Sequence, residues 1–430
     1  MAQYSKRTNN YLTHAKTLFE VVMIADQNGN PTSVNNPTGT AVDAFGRMRV
    51  SNPVTLFDSF NRYQINSHFS TLTSVSGGSI SYNEFDSSIL LNVDTSSGSF
   101  VKRETTRVFA YQPGKSLQIL ATFCFDTAQS GLRQRVGYFN DNNGVFLEQD
   151  NSVISFVIRS SVSGSVSDLN RVAKADWNID KLDGTGPSGK TLDLTTAQIF
   201  WTDIEWLGVG SVRCGFVIDG QFVHCHTFHH ANHIESTYMT TACLPIRYEI
   251  QNTANTSVSS SLRQICCSVI SEGGYELRGR NKSVGSSSLI NLPTAGTFYN
   301  LMSIRLKVDR LDAIVVPKNI SVFGKGNNTR IHWKILSGGT ITGGSWNSAG
   351  SDSAVEYNNT GTLTGGSSLV EGYIGIDAQS SQTASLDSGM FKFQLERNGL
   401  TGQSVIFTLA ATGGVDDDKA LGAMVWEEIT

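Results

Sequence analysis

Three groups of side chains in this chain have the types and spacing of chemistry. Gly184-Thr-Gly-Pro-Ser-Gly-Lys-Thr191 matches the phosphate-loop pattern G-x-x-x-x-G-K-[ST] letter for letter. In that motif backbone N–H groups and a lysine cradle the phosphates of a nucleotide, between a buried strand and a helix N-terminus. The flanks do not supply those elements. Asp176-Trp-Asn-Ile-Asp-Lys-Leu-Asp183 is too charged for a central parallel strand, and Thr191 to Trp201 is rich in Thr and aromatics. The next apolar run, Ile199-Phe-Trp-Thr-Asp203, leaves no room for a crossover helix. The loop is expected to be a turn, and neither enzymatic activity nor a bound cofactor is expected of the chain.

The second group is histidine-rich. Five of the eight histidines, His224, His226, His229, His230 and His233, fall within ten residues, interleaved with Cys225. Such density is a metal signature. With Asp219-Gly220 as a two-residue turn, an unbroken hairpin sets Cys214 against Cys225 on the face of Val212, Phe216, Ile218 and Val223. It sets His224 and His226 on the other face with Val217, Phe222 and Phe228. A mixed Cys/His site is therefore awkward, and the metal candidate is His224, His226 and His229, with His230 or His233 as substitutes; in a trimer such rings meet on the symmetry axis. The competing reading is polar surface or packing between subunits. Cys214 facing Cys225 in a hydrogen-bonded pair has poor geometry for a bridge, so thiols are expected.

The third group is scattered. Trp346 and Tyr357, among Gly, Ser and Asn, are the candidates for stacking on a glycan, with core burial as the alternative fate. Asp416-Asp-Asp418 is a run of carboxylates that could hold a cation, with a solvated loop as the commoner reading. No G-x-S-x-G signature stands out.

The elements that hold these groups read as strands. Leu117, Ile119, Ala121, Phe123 and Phe125 alternate along one face of a run, as do Met302, Ile304, Leu306 and Val308. Ile331 to Ile335 puts Arg330, His332 and Lys334 outward, and Phe391-Lys-Phe-Gln-Leu395 repeats the pattern. Asn143-Gly144 and Asp219-Gly220 between apolar runs are hairpin signals. Ser337 to Ser353 and Asn358 to Ser368 are Gly/Ser/Thr runs expected as surface loops or decorated hairpins.

A length of 430 residues exceeds what one core supports. The expectation is all-β: an extended N-terminal arm over 1–50, a β-sandwich or jelly-roll-like domain over 51–284, and a second β domain over 285–430. The boundary is placed in Gly279 to Gly296, which is poor in large apolar residues. The arm carries one apolar run, Leu18 to Ala25, before a Gly/Pro/Asn-rich stretch. A formal net charge of −4, without a dense Lys/Arg block, argues against nucleic acid. Charged residues make up 16%, below the usual share, which suits a surface covered by neighbouring subunits. No run is long and apolar enough to span a membrane, no secretory signal opens the chain, and six cysteines read as reduced thiols in a protein made in the cytoplasm.

Asp43-Ala-Phe-Gly-Arg-Met-Arg-Val-Ser-Asn-Pro-Val-Thr-Leu-Phe-Asp-Ser59 resembles a segment of a family of virion structural proteins of tailed bacteriophages, of the kind carried by phages of cyanobacteria and other aquatic bacteria. The resemblance continues in Tyr111 to Leu117, Arg135 to Leu147, Asp180 to Thr191 and Trp206-Leu-Gly-Val-Gly210, and covers about half of the chain. It implies a virion subunit, assembled in the host cytoplasm, whose partners are other virion proteins; pairing of apolar sheet edges and of the arm with neighbours adds copies of itself, trimer being the first expectation. The tail apparatus or an attached fibre is the expected position. The alternatives are a head-decoration or neck-collar protein, or an adhesin that binds a host-surface glycan.

Overall fold

The computed structural model describes residues 52–386 and 393–429. The expected arm, with Leu18 to Ala25, lies outside the described residues. The fold is all-β, built of antiparallel sheets and sandwich domains. Two single 3-10 turns, Lys174–Asp176 and Val308–Arg310, interrupt the strands. Among the described residues no helix is long and apolar enough to cross a membrane.

Two sheets form the first domain. Sheet one runs Gln221–Phe228, Val212–Ile218, Gln198–Ile204, Ser116–Cys124, Ser260–Glu272, Ser88–Val93, Gly78–Asn83, and Val54–Phe60 also pairs with Ser260–Glu272. Sheet two runs Ser167–Ala173, Val153–Ser160, Gly144–Asp150, Leu132–Phe139, Ile246–Asn252, Phe100–Thr105, Phe69–Thr73. Period-two patterning packs them face to face: Leu117, Ile119, Ala121 and Phe123 of sheet one share a core with Val136, Tyr138, Leu147, Phe156 and Ile158 of sheet two. Trp177 stacks on Phe156 at 4.2 Å, and Phe200 of sheet one lies 5.8 Å from that ring.

Both expected hairpins form. Asp219 (φ 53°) and Gly220 (φ 74°) make a turn with two left-handed residues, and Ile218 pairs with Gln221. Asn140 closes the other turn, its side chain accepting from the N–H groups of Asn142 and Asn143, both at 2.8 Å. The register beyond Asp219-Gly220 corrects the unbroken hairpin. Gly215 pairs with His224 as expected, but a bulge at Cys225 then pairs Cys214 with His226 and Val212 with Phe228. The bulge has a tertiary cause: the Cys225 carbonyl accepts from the N–H groups of Ile179 and Asp180, at 3.0 and 3.1 Å, where that earlier loop docks on the hairpin.

The second domain is one large sheet folded over its own core. Ile314–Ser337 is 24 residues long; its first half pairs with Asp418–Ile429, its second with Phe407–Gly413. Ser367–Ser385 follows its other side across both halves. Tyr299–Leu306, Val355–Asn358 and Asn347–Ser348 extend the sheet one way, Arg280–Gly285 and Ile290–Leu292 the other. The Gly/Ser/Thr runs are decorated hairpins, with Thr340–Thr342 paired to Thr362–Thr364. Strand Arg280–Gly285 belongs to this sheet, so residue 285 is the last residue of its first strand. Two strand expectations fail. Val308 leaves the Tyr299–Leu306 strand for a 3-10 turn and is 78% exposed. Of Phe391 to Leu395, residues 391–392 lie outside the described residues, and 393–395 carry no strand pairing.

The domains are joined through buried polar contacts. Ile314, Val316 and Ile429 of the second domain pack into the first core. The Arg397 N–H of the second domain donates to the Thr106 carbonyl of the first at 3.0 Å.

Candidate functional site

The phosphate-loop motif is a closed turn wrapped around an internal carboxylate. Buried Asp180 accepts from the N–H groups of Leu182 (2.8 Å) and Ser188 (2.7 Å). Gly186 lies so close that a Cβ there would fall 2.2 Å from Asp180 Oδ1. Asp183 bridges to Thr191, and the Gly184 N–H donates to the Lys190 carbonyl. Lys190 itself pairs with Asp219 at the surface. Strand Gln198–Ile204 follows, where the motif requires a helix. Asp180→Ala is expected to lower stability by about 1–3 kcal/mol through orphaned loop amides, and Lys190→Ala by about 0–1 kcal/mol. Urea unfolding of the two variants checks this; equal losses would contradict it.

The bulge separates the metal candidates. His224 stays on the outer face of sheet one, its ring 5.8 Å from Trp201 and its Nε2 2.9 Å from Thr227 Oγ1. His226 turns with Cys214 to the inner side, where its Nδ1 accepts from the Asn178 N–H at 3.3 Å and its ring meets Phe228 edge-on. His229 is exposed beyond the strand. His230 stacks on Tyr238 at 4.1 Å and bonds the Gly210 carbonyl. Among the described residues no three His, Cys, Asp or Glu side chains converge on a common point. All six cysteines are free.

Burial, reinforced by His224 and His229, depresses the His226 imidazole to about 4. The unfolded chain takes up this proton near 6.5 and the folded chain does not. The resulting stability is complete above pH 6.5 and lost as pH falls toward 4. His226→Asn is expected to flatten the fall of the melting temperature in that window; an unchanged slope would contradict the assignment.

Trp346 and Tyr357 lie on opposite faces of the second domain's sheet. Tyr357 pairs with buried Ile304 and packs on the core. Trp346 covers Arg305, 4.0 Å from its guanidinium, and Arg305 bonds Glu356 on the outer side. The three aspartates lock a turn: Asp416 accepts from the Ala295 N–H, Asp417 from Asn291 Nδ2 and Asp418 from Thr329 Oγ1.

The densest charged constellation is one that sequence reading passed over. On the outer face of sheet two, Lys102, Glu249, Arg135 and Glu148 stand side by side on four neighbouring strands, alternating in sign. Arg135 reaches Glu148 at 2.7 Å and Glu249 at 3.3 Å. In the next row Glu104 neighbours Arg247, which neighbours Gly137; a Cβ at Gly137 would fall 2.4 Å from the Val145 carbonyl oxygen, so only glycine fits. Arg247 grips Glu104 through Nε (2.9 Å) and Nη2 (2.5 Å), and Arg397 of the second domain pairs with the other Glu104 oxygen. All three are at most 2% exposed. Arg247 also donates to Asp141 at 2.6 Å. Burial works to raise the Asp141 pKa, but Arg247 and Lys102 together hold it at about 2.

This hub floors a cleft of about 740 Å³ between the domains. Tyr111, Trp206, Ala242 and the Asn140 to Asn142 turn line it from the first domain, Val308 to Ala313 and Ile429 from the second. Its polar groups come from strands about 140 residues apart or more, 104 against 247 and 397, with rigid backbone behind them. The signal in the sequence was alternation of charge on the strand positions that face away from the core. A concave cleft with paired charges on its floor has the geometry to hold a ligand.

No protein-family model matches the chain, and no curated protein matches it. Solved structures with partial likeness include the carbohydrate recognition domain of Emp47p, at TM-score 0.31 and 13% identity, covering 50% of this chain and 93% of that one. A GH16 protein of Bacteroides ovatus in complex with a glucan product gives 0.35 and 11%, covering 50% and 99%. The CBM2 module of the evolved Dit of Lactobacillus casei BL23 phage J-1 gives 0.34 and 7%, covering 53% and 99%. At such scores these likenesses say nothing about what this chain binds.

Proposed function

We propose that this chain is a structural subunit of a tailed-phage virion, placed in the tail apparatus or an attached fibre and acting by self-assembly. The observation that carries the reading is strand Ser367–Ser385. For 19 residues it pairs on one side only, with Ile314–Ser337, and leaves its other edge without a strand among the described residues. Glu371 and Asp377 are its only charged residues. Stable β proteins cover or charge such edges, and symmetric copies are one means of covering them. The segments similar to phage virion proteins, such as Arg135 to Leu147, lie in the ladders of the first domain and support the same reading. The closed state is a homotrimer. Antibodies against the full chain should decorate the tails of intact phage particles by immunogold microscopy; particles without label would overturn the proposal. A second reading, a glycan-binding adhesin, draws support from the half-buried Trp346 ring, which keeps part of its surface open, and from the cleft.

A further inference from the structure

We infer that the cleft between the two domains binds a neutral saccharide. The site does not depend on the virion reading, because one copy of the chain contains all of it.

Size comes first. A volume of about 740 Å³ lies within the range of small-molecule sites and accommodates a ligand on the order of a disaccharide or trisaccharide. Charge comes second. The lining holds Glu104, Asp141, Asp309 and Asp312 against Arg247, Arg310 and Arg397. Glu104 is neutralised by two arginines, Asp141 by Arg247 and Lys102, and Arg397 reaches 3.7 Å from Asp312. On the floor of the cleft an anionic or cationic ligand would have to break pairs that are already made, whereas hydroxyl groups use the lone pairs and N–H groups that remain.

Donors without partners come third. The Trp206 indole N–H is buried and has no acceptor among the described residues, nor has the Nε–H of Arg397, a side chain 2% exposed on the cleft floor. A buried donor left unpaired costs about 1–3 kcal/mol, which a ligand oxygen recovers. The apolar remainder is the complement of a sugar ring's C–H face: Ala110, Val308 and Leu311 beside the ring of Trp206. Asp309 and Asn142 at the exposed rim supply acceptors for outward hydroxyls. Because the Glu104 hub fixes the two walls relative to each other, binding carries little ordering cost.

The test uses the full chain with lactose, maltose, cellobiose and mannobiose, read by saturation-transfer NMR and titration calorimetry. At least one disaccharide is expected to bind. Trp206→Phe keeps an aromatic face, though a smaller one, and removes the donor, and should weaken that binding by about tenfold. Val308→Trp fills the mouth from an exposed 3-10 turn, where the fold tolerates a large side chain, and should abolish binding with the melting temperature unchanged. Should Trp206→Phe fail to fold, Val308→Trp still decides. Beads coated with a polysaccharide of the same unit separate a surface glycan from a free sugar as the source, and retention on either supports the site. No binding by any of the four sugars, or binding untouched by Val308→Trp, would overturn it.

Discussion

Glu104→Ala is expected to destabilise the chain by about 3–5 kcal/mol, because it leaves two buried guanidinium groups without their counter-ion. Glu104 receives Arg247 from its own sheet and Arg397 from the second domain, and all three side chains are out of solvent. Glu104→Gln keeps the shape and the acceptor oxygen but not the charge, so it should fall between the parent and alanine. Since Arg397 is the second domain's buried ion pair to Glu104, the alanine variant should also split thermal unfolding into two transitions where the parent shows overlapping ones. Differential scanning calorimetry reads both effects. A loss under about 1 kcal/mol, the range of an exposed pair, would show that the hub is solvated.

The second large effect is expected at Trp426. Its side chain is fully buried in the core of the second domain, and its indole N–H donates to Glu428 Oε1 at 2.7 Å. The same carboxylate accepts from Ser353 Oγ and, at 2.9 Å, from the Ala354 N–H. Trp426→Ala should cost about 3–5 kcal/mol as a cavity opens and the carboxylate loses a donor. Trp426→Phe keeps most of the volume and should cost about 1–3 kcal/mol, chiefly the missing donor. Urea unfolding followed by circular dichroism distinguishes them; identical losses would mean that the hydrogen bond contributes nothing measurable.

Much of the fold was legible because burial here follows period two. Leu117 to Phe125 and Ile331 to Ile335 alternate cleanly between core and outside, and Asp219-Gly220 specifies its turn through two left-handed residues. The bulge at Cys225 was not legible. It arises from carbonyl contacts with Ile179 and Asp180, some 45 residues earlier, and it turns His226 to the face opposite His224. Val308 continued an apolar alternation that the backbone ends by turning. The cleft was hidden for another reason: Glu104, Arg247 and Arg397 are ordinary surface residues by type, and only the pairing of strands and domains buries them together. The phosphate-loop match shows the converse. Its residues are all present, and their N–H groups serve Asp180.

Sedimentation velocity of the full chain at micromolar concentration tests the central claim, that the Ser367–Ser385 edge, which no strand among the described residues covers, is covered by sister copies. The account predicts one sharp species with the mass of a trimer, dispersed by charged substitutions along Ser367–Ser385. A single 46.6 kDa species at every concentration would contradict it.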